Sequence, residues 1–104
     1  MDQTFTIKYT ESFIKDYISI IKYFKTELKL NNSVNKFQKN IDKCIINIQT
    51  MPLAYKKFAT KEKLSTDVRR AEVGNFVILF NVIKNNINLL RIVYTKRNLD
   101  NINL

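Results

Sequence analysis

The stretch that decides the fold is VGNFVILFNVIKNNINLLRIVYTKRN, Val73 to Asn98. Two nearly unbroken apolar runs, Phe76 to Ile83 and Ile87 to Thr95, meet at a break rich in asparagine. Runs of that length, bounded by turn residues and rich in β-branched and aromatic side chains, read as strands, and FVILFNVI is apolar on both faces. Gly74-Asn75 and Asn85-Asn86 tolerate positive φ, so each pair is expected to turn the chain into a hairpin. With Val68 to Val73 as the preceding strand, the three form an antiparallel meander with FVILFNVI at its centre. An apolar middle strand needs cover on both sides, and the rest of the chain must supply it.

Outward from this meander, TFTIKYT alternates Phe5, Ile7 and Tyr9 with Thr4, Thr6 and Lys8, the period of a strand with one face on a core. Thr10 is placed to cap a helix, with Glu11 in its first turn. Ile14, Tyr17, Ile18, Ile21, Phe24 and Leu28 then recur at three and four residues and predict a helix with those side chains inward. LNNS breaks it, and Asn32 or Ser33 can cap a second helix. That helix has the cleaner period, Val34, Phe37, Ile41, Cys44, Ile45, Ile48 and Met51, and Pro52 closes it. Each helix is expected to run about five turns. From Leu53 to Asp67 periodicity fades and Lys56, Lys57, Lys61, Glu62 and Lys63 suggest a loop whose charge is available for function. The expected fold is α+β: an N-terminal strand, a two-helix hairpin and the meander, in one sheet of about four strands and one domain spanning residues 1–104. The sheet is expected to be antiparallel.

Composition narrows the function. The chain of 104 residues carries 18 Lys and Arg against 9 Asp and Glu, a net +9. The excess lies toward the C-terminal half, and it favours an acidic protein or a nucleic acid as partner. There is no histidine, which excludes Ser-His and Cys-His nucleophile pairs and any metal site built on histidine. No cofactor and no metal are expected. Cys44, the single cysteine, falls on the apolar stripe of the second helix and is read as a buried thiol. No apolar run is long enough for a membrane span and Met1 to Tyr9 lacks a signal core, so a cytoplasmic protein is expected.

Arg69, the run VGNFVILFNV and the closing LLRIVYTKRNLDNI, in that order behind a strand and a helical hairpin, resemble the RelE/ParE family of toxins from type II toxin–antitoxin modules. The resemblance spans nearly the whole chain, with Phe80 as the strand aromatic and Arg97 as the tail arginine. It implies a basic, growth-arresting toxin neutralised by a cognate antitoxin protein, often an acidic one. It also implies one of two targets. RelE-like members cleave messenger RNA on the ribosome, and ParE-like members inhibit DNA gyrase.

RNA cleavage through a 2′-hydroxyl needs a proton acceptor, a proton donor and cations around the phosphorane-like charge. In a nuclease of this family those roles would fall to Arg69, Tyr94 and Arg97, with Arg70 and Lys96 as contacts to nucleic acid or target. Arg69 and Arg70 must point to opposite faces of their strand, so at most one joins the site. Two departures count against cleavage. Val77 stands where RelE-like nucleases usually carry an arginine, and Tyr94 stands where some carry a histidine, a much better base at neutral pH. The expectation therefore leans to a ParE-like inhibitor of gyrase, with a ribosome-dependent endoribonuclease or a non-toxic antitoxin-binding module as the alternatives. Glu72 and Arg91 are read as surface or salt-bridged charges.

Overall fold

A computed structural model describes residues 4–29, 31–58, 67–96, 102 and 104. The element order is β1 (Thr6–Tyr9), α1 (Glu11–Thr26), α2 (Asn31–Thr50), a single 3₁₀ turn (Pro52–Ala54), β2 (Val68–Val73), β3 (Phe76–Ile83) and β4 (Asn86–Tyr94). The strands form one sheet in the order β1-β4-β3-β2. β2, β3 and β4 pair antiparallel, whereas β1 runs parallel to β4, with Thr6 opposite Asn86 and Tyr9 opposite Leu89. The sheet is therefore mixed. The helical hairpin between β1 and β2 is the long crossover that frees β1 from antiparallel pairing.

Thr10 caps α1 as its sequence position suggests, its Oγ1 accepting from the Phe13 N–H at 3.2 Å. The same hydroxyl donates to the Leu89 carbonyl at 2.7 Å, with the Leu90 carbonyl at 3.2 Å, so the cap also fixes the helix to β4. The apolar stripe of α1 differs from the expected phase. Phe13 is the buried residue, Tyr17, Ile20, Ile21 and Phe24 pack beside the core, and Ile14 and Ile18 are exposed. Apolar residues lie on both sides of this stripe, so spacing alone could not fix which arc faces inward. In α2 the expected stripe from Val34 to Ile48 is buried, except that Met51 lies beyond the helix end and is exposed.

The sheet has apolar cover on both faces. The helices pack one face through Phe37, Ile41, Cys44, Ile45 and Ile48 against Ala71, Ile78, Phe80, Ile87, Leu89 and Ile92. The other face holds a smaller cluster of Val68, Val77, Leu79 and Val93 beneath Phe58 and Ile102. Val77, Ile78, Leu79 and Phe80 are all 0% exposed, which is the two-sided burial that the run FVILFNVI demands.

Two local features set which side chains reach the surface. Leu90 has no partner across the ladder, because Leu79 pairs with Arg91 and Phe80 with Leu89. This extra residue re-phases the strand, so Ile92 rather than Val93 joins Ile87 and Leu89 on the helix side. At the second hairpin the positive φ falls on Lys84, at 56°, instead of the expected asparagines, while Gly74 takes φ 58° at the first. Beyond β1, Asp16 takes over the edge of β4: its Oδ2 accepts from the Ile92 N–H at 3.1 Å and from Arg91 Nε at 2.6 Å. No helix among the described residues is long and apolar enough to cross a membrane.

Candidate functional site

Of the residues singled out as a nuclease set, Arg69 and Tyr94 lie among the described residues. Arg69 lies on the helix side of β2 and its Nη1 donates to the Tyr55 carbonyl at 2.7 Å, with the Leu53 carbonyl at 3.5 Å. Tyr55 in turn sets its ring edge against Phe80 at 5.7 Å. Arg69 is thus a tether for the turn that follows α2. Tyr94 ends β4 at the other end of the sheet, opposite Phe76, with ring centroids 5.8 Å apart and 43% of the residue exposed. Arg69 pairs with Phe80 and Tyr94 with Phe76, a separation of about 13 Å along the strands and about 10 Å across them. The two therefore stand toward opposite ends of the sheet, Arg69 against the carbonyls of the turn after α2 and Tyr94 beside Phe76. Arg97 lies outside the described residues.

Arg70 projects to the opposite face from Arg69, as strand alternation requires. Its Nη2 bonds Glu72 Oε1 at 3.1 Å and its guanidinium sits 6.0 Å from the Phe58 ring centre. Lys96 is exposed in the turn after β4, a turn fixed by Thr95, whose N–H and hydroxyl both donate to the Asn75 carbonyl at 2.8 and 3.0 Å. The Val77 side chain is enclosed between Phe58, Leu79 and Val93 in the outer cluster. The face that would carry a cation at this position is apolar and dry.

Tyr94 instead lines an apolar groove of about 560 Å³ between α1 and the end of the meander. Ser19, Ile20, Tyr23, Phe24 and Leu28 form one wall, and Asn75, Phe76 and Tyr94 the other. Tyr23 and Tyr94 are half-exposed among its lining residues, where Phe24 and Phe76 meet edge-on, and Phe37 packs edge-on against Phe76 in turn. Such a groove suits apolar side chains of another polypeptide, with phenol groups left wet.

Titratable groups in the interior serve structure. Hydrogen bonding to Asp16 raises the Arg91 pKa and keeps the guanidinium charged. Sequence reading allowed for a salt-bridged Arg91 but did not identify Asp16, because a lone acid on a helix gives no pattern to link it to a strand 75 residues away. Burial pushes up the Cys44 thiol and the Tyr17 and Tyr55 phenols, which suppresses nucleophilic or basic forms near neutrality. Among the described residues no group of three or more cysteine or acidic side chains is arranged to hold a metal ion.

No curated protein matches the chain. Nine chains of solved structures do. One of them, described as the chromosomal ParDE TA system from P. aeruginosa, superposes with a TM-score of 0.70 at 17% identity, covering 91% of this chain and 100% of that one. At that identity the likeness speaks for the fold. The family model of the ParE toxin of the type II toxin–antitoxin system parDE matches residues 7–99, from β1 to just beyond β4, and the chain belongs to that family.

Proposed function

We propose that this toxin arrests growth by binding and inhibiting a protein, with DNA gyrase as the target that its ParE-like character implies, and that a cognate antitoxin holds it inactive in the cytoplasm. The observation that carries the reading is Val77. It is 0% exposed and lies within an apolar cluster, so the outer face of the sheet has no cation at the place where nucleases of the wider family usually carry one. The separation of Arg69 from Tyr94 supports the same reading, as does the use of Arg69 as a tether. What these surfaces offer is apolar contact and positive charge, the means of holding an acidic protein.

The experiment compares purified toxin against gyrase supercoiling and against messages on translating ribosomes. Dose-dependent loss of supercoiling with intact RNA is expected. Discrete cuts in ribosome-bound RNA, abolished in Arg97→Ala, would replace this reading with that of an endoribonuclease.

A further inference from the structure

The turn after α2 presents an unusual surface. Pro52 is buried, while its neighbours Met51 and Leu53 are each 63% exposed. Burying the proline ring turns both long aliphatic side chains outward. The turn is also held in shape. The Ala54 N–H donates to the Met51 carbonyl at 3.2 Å, and Arg69 binds the carbonyls of Leu53 and Tyr55 from behind. Just beyond, Lys56 to Phe58 lie along the edge of β2, the Phe58 N–H donating to the Val68 carbonyl and the Arg70 N–H to the Lys56 carbonyl. A turn whose backbone is already braced has little backbone freedom left to lose on binding, which favours association.

Charge defines the partner. Arg69 spends its hydrogen bonds on neutral carbonyls and, among the described residues, has no carboxylate partner. Lys56 is exposed and likewise makes no ion pair among them; only Lys57 is paired, with Asp67 at 3.0 Å. Among the described residues the surface thus combines two projecting apolar groups with two cations, Lys56 and Arg69, that have no carboxylate partner. A second copy of a chain with net +9 would be repelled. Nucleic acid would be met by aromatic stacking platforms, whereas Met51 and Leu53 are aliphatic.

We propose that Met51, Leu53 and Lys56, backed by Arg69, form the docking surface for an acidic, partly apolar patch on the protein that the toxin inhibits. The proposal rests on the reading of the chain as a target-binding inhibitor. It assigns the target to the end of the molecule away from the groove beside Tyr94, so inhibition and the groove's occupancy are separable.

The test is the double variant Leu53→Glu/Lys56→Glu. Both positions are exposed, so thermal unfolding should match that of the unaltered protein, and this is measured first. The variant is expected to arrest growth weakly and to need about tenfold or more protein to inhibit gyrase supercoiling. Co-expressed cognate antitoxin should still bind it with unchanged affinity. Full potency of a folded double variant would overturn the proposal, and so would an equal loss of antitoxin affinity, which would mark the surface as the antitoxin's. If the unaltered toxin arrests growth but leaves gyrase active, the choice of gyrase fails, while growth arrest by the two proteins still decides whether this surface engages the target.

Discussion

A positive charge at position 77 would have no water to reach. The Val77 side chain is closed in by Phe58, Leu79 and Val93, so Val77→Arg would bury an unpaired guanidinium and is expected to cost about 3–5 kcal/mol of stability, read from the midpoint of urea unfolding. It should gain no RNA cleavage, because a single cation would not bring Arg69 and Tyr94 together. The significance of Val77 is legible in the sequence, since a valine in a run of strand residues can be compared with the arginine usual in nucleases of the wider family. The function of Arg69 is not. Whether an arginine on a strand faces a substrate or ties down a carbonyl depends on where the chain between α2 and β2 passes, and no local pattern encodes the contact with Tyr55.

Among the elements, α1 depends on Thr10 twice, once as its cap and once as its link to β4. Thr10→Ala removes a side chain that accepts from Phe13 N–H and donates to the Leu89 carbonyl, and is expected to lower stability by about 1–2 kcal/mol in chemical unfolding. Conversion to serine should restore most of it, because the hydroxyl is retained. The helices show why some elements were readable and others only in part. The stripe of α2 is separated by lysines and asparagines, so one face alone can be buried. That of α1 is bordered by Ile14 and Ile18, and the arc that faces the core is chosen by packing on β4. The meander was readable because its apolar runs are long and its turns are marked. The parallel direction of β1 was not, since four residues carry no sign of the neighbour they will choose.

Taken whole, the molecule is a mixed sheet between two apolar layers of unequal size, and its interior holds protons tightly. Burial raises the Cys44 thiol and the Tyr17 and Tyr55 phenols, so the folded chain retains protons that the unfolded chain releases between about pH 8.5 and 10. The native state then binds more protons than the unfolded one, and stability must fall as pH rises through that window. The raised Arg91 pKa has the same sign but acts only in the guanidinium range, far above it. Urea midpoints at pH 7, 9 and 10.5 should decline in that order, and Cys44→Ala should lack the earliest part of the decline. The positive surface acts at longer range than any of these groups. It would draw an acidic protein inward before contact is made, with the braced apolar turn completing the fit.

The unpaired Leu90 has a consequence for how such a protein can change over generations. Leu79 and Phe80 already pair with Arg91 and Leu89 across it, so the loss of the codon for Leu90 would close the ladder without a break and leave Ile92 on the helix side and Tyr94 beside Phe76. Substitutions there would be tolerated one at a time, according to volume. A change in length, which strands otherwise resist, thus has one place in β4 where it would leave the rim of the groove as it is.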